Sequence, residues 1–276
     1  MNISKKWGTR AFALGLALLS ISCKKEPDNK GQTSPDSPLQ NYVYYGEKST
    51  AFADVKLYFA EDAFVGYNRV AVELFESGSQ QRIENASLSF LPLMDMGTTK
   101  HSCPFDNPVY SAELEAYQGS ATFIMPSSTM ASWTFGLIVN HNGNIDTLSF
   151  NLEVKAKAKA KVISFISAAD SLSAIFIALK EPSSPEIGLN TLELMVYEKE
   201  SMMSFPPVSD FSIEVEPEMP SMGHGSPNNE DPISIAKGLY RGKVNFTMSG
   251  YWKLHLKIKD ANGQTLNEDA AFDISF

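Results

Sequence analysis

The sequence predicts an all-β protein in which two tandem β-sandwich domains follow a leader and a flexible tether. Short stretches of alternating apolar and polar residues recur along the chain. Gly, Pro or Asn interrupts them about every eight to twelve residues, a spacing typical of β-sandwiches. No apolar period of 3.6 residues continues for the length of a domain. The second half of the chain also repeats motifs of the first half, which indicates two copies of one domain.

The leader occupies residues 1–22. Three cations precede an apolar run over residues 11–19, which is too short to span a membrane and is typical of a signal peptide. The small residues of "LSISC" lead to Cys23 and resemble a bacterial lipobox, in which the cysteine becomes the first mature residue and carries the lipid. The alternative is an ordinary signal peptide followed by a cysteine. With lipidation, including palmitate, Cys23 anchors the protein to a membrane that the chain does not cross.

The tether occupies residues 23–41 and contains almost no large apolar side chain, so a flexible, solvated spacer is predicted. Without the leader, 20 basic residues stand against 32 acidic ones, a net charge of −12. This balance argues against nucleic acid as a partner and attracts cations weakly and without selectivity. We expect a lipoprotein of a Gram-negative cell envelope, held at the outer membrane and facing the periplasm or the cell surface, with a protein partner in the envelope.

Two pairs of segments carry the internal repeat. "VGYNRVAVELFE" at 65–76 aligns with "IGLNTLELMVYE" at 187–198 and shares a glycine and an asparagine two residues later. "YQGSATFIM" at 117–125 aligns with "YRGKVNFTM" at 240–248 and shares Tyr, Gly, Phe and Met. The repeat predicts a first domain over residues 42–157 and a second over residues 158–276, with the same strand order.

Residues after these segments also recur. A tryptophan, Trp133 or Trp252, follows each copy, and both are predicted to lie in a sandwich core. Each copy then contains Asn-Gly between alternating segments, which predicts a β-hairpin. The final methionines of the aligned segments, Met125 and Met248, follow the strand pattern and are predicted to be core residues.

The segment "KAKAKAK", residues 155–161, connects the two copies. It is either the end of a strand with Lys on one face or a short solvated hinge. The alternation favours the strand, and a row of cations would keep an exposed sheet edge from pairing with other chains.

The second copy carries the clearest family resemblance. Its motif residues are Gly188, Asn190, Met219, Pro220, Met222, Gly223, His224, Gly238, Tyr240, Phe246, Met248, Gly250 and Trp252. This pattern resembles the YtkA-like domain, which is related to the FixH-like domain and is broadly similar to copper-binding CopC-like sandwiches. The resemblance implies immunoglobulin-like sandwiches and a copper site in a methionine loop. The first copy departs from the pattern, because His101 comes four residues after Gly97 instead of directly after the glycine, and Cys103 follows it.

The methionine loops are the candidate metal sites. The segment 217–232, "PEMPSMGHGSPNNEDP", contains four prolines, so no helix or strand is predicted there and its methionines have no evident core to fill. Thioethers with an imidazole suit Cu(I), or a copper site that accepts both Cu(I) and Cu(II). The predicted ligands are Met219, Met222 and His224 in the second copy and Met94, Met96, His101 and Cys103 in the first. Met202 and Met203 are further sulfur donors expected for the second copy.

Each candidate has a structural alternative. The methionine loops can fold back and close one end of a sandwich without metal. Cys103, the one cysteine left if Cys23 is lipidated, offers a soft thiolate or is an apolar residue under its loop. The second copy is favoured as the site by resemblance, with the first as a thiol-assisted site.

Motifs for catalysis are lacking in the sequence. It contains no nucleophile elbow, no His-Glu-x-x-His and no phosphate-binding glycine loop. A non-enzymatic protein is therefore expected. The first hypothesis is a lipid-anchored envelope protein that buffers copper or delivers it to a partner. The second is a tandem immunoglobulin-like scaffold or protein-interaction lipoprotein that binds no metal.

Overall fold

A computed structural model describes residues 1–2 and 37–276, so Cys23 and most of the predicted tether lie outside the described residues. Regular structure in the described part is β-strand. No helix there is long and apolar enough to span a membrane. The first domain contains β1 (Val43–Ser49), β2 (Ala53–Phe59), β3 (Gly66–Glu76), β4 (Ser87–Asp95), β5 (Lys100–His101), β6 (Phe105–Ser111), β7 (Ala116–Phe123), β8 (Ser132–His141) and β9 (Asn144–Leu152). The second domain contains β10 (Val162–Ile166), β11 (Ala174–Glu181), β12 (Gly188–Lys199), β13 (Ser212–Met219), β14 (His224–Gly225), β15 (Glu230–Ala236), β16 (Leu239–Phe246), β17 (Tyr251–Lys259) and β18 (Thr265–Ser275).

The two domains have the same strand order. In the first, a five-stranded sheet β1-β2-β3-β7-β6 faces a four-stranded sheet β5-β4-β8-β9. In the second, the sheets are β10-β11-β12-β16-β15 and β14-β13-β17-β18. Every strand of one domain therefore has a counterpart nine strands later, and all neighbours within these sheets are antiparallel. The predicted all-β fold of two tandem immunoglobulin-like sandwiches with shared topology is confirmed.

The repeated asparagine fixes the start of the third strand in each domain. The Nδ2 amide of Asn68 donates to the carbonyls of Phe64 and Gly66, and its Oδ1 accepts from the Phe64 N–H. Asn190 makes the corresponding bonds to the carbonyls of Glu186 and Gly188 and to the Glu186 N–H. The side chain thus pairs backbone groups that the sheet cannot reach, which explains why the residue recurs.

The repeated aromatic residues lie in the cores as predicted. Trp133 and Trp252 are 1% and 0% exposed. Tyr117 and Tyr240 are also buried, and each phenol oxygen accepts a backbone N–H from the segment before the fourth strand of its domain. Because a buried tyrosine needs a partner for its hydroxyl, these bonds tie the two sheets of each domain together.

The methionines after the repeated strands are not core residues. Met125 and Met248 lie beyond the ends of β7 and β16, and their side chains are 40% and 38% exposed. The prediction was wrong because it extended the alternating pattern past the strand ends. What recurs is a backbone contact: the indole N–H of Trp133 donates to the Met125 carbonyl, and that of Trp252 donates to the Met248 carbonyl.

Both Asn-Gly dipeptides lie in hairpins, as predicted, but in different turns. Asn142 and Gly143 form a two-residue turn with φ of 51° and 81°, closed by the pair His141 and Asn144, as a type I′ hairpin requires. The second hairpin closes at Lys259 and Thr265 and has a longer loop, in which Asp260 accepts hydrogen bonds from three backbone N–H groups.

The connection between the domains is not a strand. β9 ends at Leu152 and β10 begins at Val162, and within residues 155–161 only Lys155 forms an isolated bridge, to Phe64. The solvated-connector alternative is therefore the correct one. Its alternating lysines act individually: Lys155 pairs with Asp62 at 3.3 Å, and Lys157 pairs with Glu61. These two ion pairs attach the connector to the first domain, so its lysines do not line one face of a strand.

Candidate metal site

The candidate ligands lie on two equivalent β-hairpins. β4 pairs with the short β5 so that Met94 lies opposite His101. β13 pairs with β14 so that Met219 lies opposite His224. Residues directly opposite each other on antiparallel strands share a face, with Cβ atoms about 4.5–5.5 Å apart. Each domain therefore brings one thioether and one imidazole together at the same end of its sandwich.

This arrangement corrects two expectations. His101 and His224 occupy equivalent positions, so His101 is not displaced from the motif; the hairpin before it is two residues longer. The proline-rich segment also contains strand, because β13 continues through Pro217 to Met219. On one side β13 pairs with β17, and on the other side it pairs with β14 only at Glu218 and Met219. Pro217 is tolerated because no neighbouring strand on that second side needs its N–H.

Each imidazole is held by a backbone carbonyl. Nδ1 of His101 lies 2.7 Å from the Ser102 carbonyl oxygen, and Nδ1 of His224 lies 2.8 Å from the Gly225 carbonyl oxygen. A carbonyl only accepts, so this contact places the ring proton on Nδ1 of each neutral histidine. The lone pair is then on Nε2. This is the arrangement that a carbonyl in the second coordination shell gives to a metal-binding histidine.

A buried tryptophan lies beside each histidine. The ring centroids of His101 and Trp133 are 5.4 Å apart, and those of His224 and Trp252 are 6.0 Å apart, both edge to face. Each indole N–H already donates to a carbonyl, so the tryptophans contact the histidines through apolar ring atoms. This edge-to-face packing helps to orient the imidazole rings.

The two histidines differ in exposure. His101 is 3% exposed, whereas His224 is partly exposed. Among the buried side-chain polar atoms of the described residues, only His101 Nε2 and His141 Nδ1 lack a hydrogen-bond partner. An unpaired buried nitrogen costs about 1–3 kcal/mol and calls for an explanation. For His101 a bound soft cation would supply the missing partner.

The methionines around each pair have different surroundings. Met94 and Met219 are core residues, 0% and 4% exposed, and the Met219 methyl approaches Gly250. Met222 is 61% exposed and Met96 is partly buried. The N–H groups of Met222 and Gly223 both donate to the Met219 carbonyl at 3.0 Å, so the turn carries Met222 back over Met219. Met219, Met222 and His224 are therefore within one hairpin.

Cys103 belongs to the core of the first domain. It is 1% exposed, is unpaired with another cysteine, and packs in the main apolar cluster. Burial raises the pKa of its thiol well above the ordinary value. The geometry therefore agrees with the alternative of an apolar residue under the loop, and a thiolate ligand would require the core to open.

Met202 and Met203 do not accompany the second hairpin. They lie in the connection from β12 to the Ser212 end of β13, whereas Met219 is at the other end of that strand. Seven residue steps along a strand separate these ends by about 23 Å. Met202 and Met203 were expected near Met219 because they precede it closely in sequence. The sequence gave no indication that the whole of β13 separates them.

Carboxylate-rich metal sites are not formed within residues 37–276. In the described part of the chain, no three His, Cys, Asp or Glu side chains come together in a group that could hold a metal ion. What the hairpins offer is thioether sulfur and one imidazole nitrogen, donors that suit copper and not Ca²⁺ or Mg²⁺.

Comparison with known proteins bears on the second domain. Residues 172–257 match the model of the YtkA-like family. The match runs from the segment before β11 into β17 and includes Met219, Met222 and His224. The predicted resemblance is thus confirmed for these residues of the second copy. No curated protein matches the chain.

Several solved structures match the chain at low identity and low TM-score. The adhesin InvE of Yersinia pseudotuberculosis is 13% identical, with a TM-score of 0.24, covering 78% of this chain and 56% of that chain. The Escherichia coli adhesin FdeC is 14% identical, with a TM-score of 0.27, covering 84% and 66%. A chimeric titin Z1Z2 tandem is 13% identical, with a TM-score of 0.19, covering 79% and 96%. The match therefore covers less than two thirds of the length of either adhesin chain.

Proposed function

We propose that this protein binds copper through the Met–His pairs of its two domains and either buffers the metal or delivers it to a partner in the cell envelope. The observation that carries the proposal is the recurrence of one arrangement. Met94 with His101 and Met219 with His224 occupy equivalent hairpin positions, and both imidazoles present Nε2 as a lone pair. Core packing alone gives no reason to fix the same tautomer twice.

The donor set favours Cu(I). Thioether sulfur is a soft, neutral donor, and a neutral imidazole adds a nitrogen, so the site places no anionic ligand on the metal. Few ligands at a partly exposed hairpin allow exchange with another protein. Neither domain is proposed to perform catalysis; the residues hold and release the ion.

The anchor is the second part of the proposal. Cys23 carries the lipid, and a diacylated cysteine has the two chains that stable anchoring needs. The acidic sandwiches then extend from the outer membrane of a Gram-negative envelope on the tether of residues 24–41. Replacing Cys23 by Ala should move the protein to the soluble fraction or leave it held by its uncleaved leader. Incorporation of labelled palmitate into the Cys23→Ala protein would contradict this assignment.

Copper binding is tested on protein that begins at residue 24. Cu(I) is titrated under anaerobic conditions against a chromophoric chelator, and the double variant Met222→Leu/His224→Ala is compared with Met125→Leu/His141→Ala. The control pair removes one exposed methionine and one histidine of the first domain, neither of them on a Met–His hairpin. We expect the first variant to lose at least one equivalent of Cu(I) and the control to retain all of it. Equal binding by both variants, or no binding by the unmodified protein, would refute the proposal.

A second candidate function is supported by the sheet edges. The alternative is a tandem immunoglobulin-like scaffold that binds a protein without metal. β6 and β15 are the outer strands of the five-stranded sheets, and Val109, Ile233 and Ile235 on them are 74%, 68% and 44% exposed. Exposed β-branched residues on an edge strand suit pairing with a strand of another chain. Ile233→Lys should abolish capture of such a partner and leave Cu(I) uptake unchanged, which separates the two functions.

A further inference from the structure

The first Met–His pair lies against the second domain. The Ser102 N–H donates to the Met202 carbonyl at 2.8 Å. Ser102 follows His101 directly, and its own carbonyl holds His101 Nδ1. A backbone hydrogen bond brings the two Cα atoms to about 5 Å. A loop of the second domain therefore reaches the residue next to the candidate ligand of the first.

The loop that makes this contact is compact. Over residues 200–204, the N–H groups of Glu200 and Ser201 donate to the Ser204 carbonyl. The Ser204 hydroxyl donates to the Glu200 carboxylate at 2.7 Å, and the Met203 N–H donates to the Ser201 hydroxyl. The loop thus holds Met202 and Met203 at its tip. Their side chains are 37% and 54% exposed, so neither thioether is used in a core.

Neighbouring contacts hold this interface in register. The hydroxyls of Thr122 and Tyr197 are 3.3 Å apart across the domains, and the Thr122 N–H donates to the Pro104 carbonyl. The ammonium of Lys180 lies 5.4 Å from the ring centroid of Tyr67. The loop is therefore fixed beside the segment of residues 101–104.

The second hairpin has no such cover. Gly225, which corresponds to Ser102, is exposed, whereas Ser102 is 2% exposed. The same difference appears in the histidines, because His101 is 3% exposed and His224 is partly exposed. The two hairpins thus differ in burial, and they differ at the residues where the hairpin of the first domain contacts the second domain.

We propose that the first Met–His pair forms an interdomain copper site, to which the loop of residues 200–204 supplies the thioethers of Met202 and Met203. The proposal rests on the proposed copper function and names the residues of its first site. His101 Nε2, which is buried and has no hydrogen-bond partner, is the nitrogen donor. The second hairpin remains the open site. Copper at the first site then requires both domains, and binding there favours their present arrangement.

The test uses the chain from residue 24 with His224→Ala, which removes the imidazole of the open site. Its affinity for Cu(I) is measured by competition with bicinchoninate, before and after Met202→Leu/Met203→Leu. The matched control is Met130→Leu/Met248→Leu, two exposed methionines that belong to neither Met–His hairpin nor the loop of residues 200–204. Met-to-Leu changes keep apolar volume and remove the sulfur, so the fold should survive. We expect at least a tenfold loss of affinity for the first pair and no change for the control.

X-ray absorption at the copper edge supplies a second readout, since the number of sulfur neighbours should fall only in Met202→Leu/Met203→Leu. Equal affinities and equal sulfur counts in the two double variants would overturn the interdomain site. It would also be overturned if His224→Ala alone abolished binding, although the open site would then still support copper binding. No binding by the unmodified chain would overturn both.

Discussion

Replacing Asn68 by Ala should destabilise the first domain much more than Asn190→Ala destabilises the second. Both side chains pair the same backbone groups at the start of an equivalent strand. Asn68 is 3% exposed, and its Nδ2 makes a further, longer contact of 3.4 Å with the Ala121 carbonyl. Asn190 is partly exposed and lies in a more open setting.

The expected magnitudes follow from burial. An exposed backbone group that loses its partner can bond to water, so the net loss per hydrogen bond is about 0.5–1.5 kcal/mol at most. A buried group cannot, and costs about 1–3 kcal/mol. Asn68→Ala leaves the Phe64 N–H and two carbonyls without their partner in the core, so we expect about 3 kcal/mol, against about 1 kcal/mol for Asn190→Ala.

The assay can separate the domains because the chain from residue 24 contains one tryptophan in each, Trp133 and Trp252. Labelling with 5-fluorotryptophan gives one ¹⁹F resonance per domain, and each is followed through urea unfolding. Asn68→Ala should shift the transition of the Trp133 resonance and leave that of Trp252 nearly in place. Equal shifts for the two variants, or a larger one for Asn190→Ala, would refute the argument from burial.

Three further predictions concern single residues. Burial would raise the pKa of Glu193, but hydrogen bonds from Lys180 and Arg241 outweigh it, so the pKa lies below the ordinary 4.5. The stabilisation of the second domain by ionised Glu193 is therefore present above about pH 4.5 and is lost as the pH falls through the folded pKa. Glu193→Gln should make second-domain stability less dependent on pH in this range, whereas the exposed control Glu268→Gln should not. Gly250→Ala should lower the unfolding free energy of the second domain by about 1–3 kcal/mol, because φ is 137° and a Cβ would lie 3.2 Å from the Met219 methyl. Gly263→Ala, where φ is 80° and a Cβ would meet open space, measures the cost of backbone strain alone in the same thermal unfolding assay. Cys103 should react with a thiol reagent at the rate of domain opening, and a rate close to that of a free cysteine would contradict its burial.

Much of the fold could be predicted from sequence because the informative residues act locally. Asn68 and Asn190 bind backbone within four residues, and the Asn142-Gly143 turn adopts the positive φ that its hairpin needs. Repetition of these residues in the same order specifies the same strand order. Local rules did not reveal where strands stop, which is why residues 155–161 were predicted as strand.

The candidate site was harder to predict because its geometry depends on pairing across strands. The sequence aligned Met94, Met96 and Gly97 with the second motif but left His101 out of place. The structure places Met94 opposite His101 and Met219 opposite His224, with hairpins of unequal length, so the two histidines are equivalent. A search for methionine and histidine at both ends of a short hairpin would have found this equivalence. The contact between Met202 and Ser102 depends on domain packing, for which the sequence carries no local signal.

The most direct test of the copper site is ¹⁵N NMR of the histidine rings in the chain from residue 24, recorded without metal and with Cu(I), which is diamagnetic. Before metal is added, His101 and His224 should both show the Nδ1–H tautomer, as their contacts with the Ser102 and Gly225 carbonyls require. On addition of Cu(I), the Nε2 resonance of His224 should shift, while His255, which pairs with Glu218, should not. Protonation of His224 at Nε2 in the neutral ring, or unchanged Nε2 resonances of both His101 and His224 at excess Cu(I), would contradict the account.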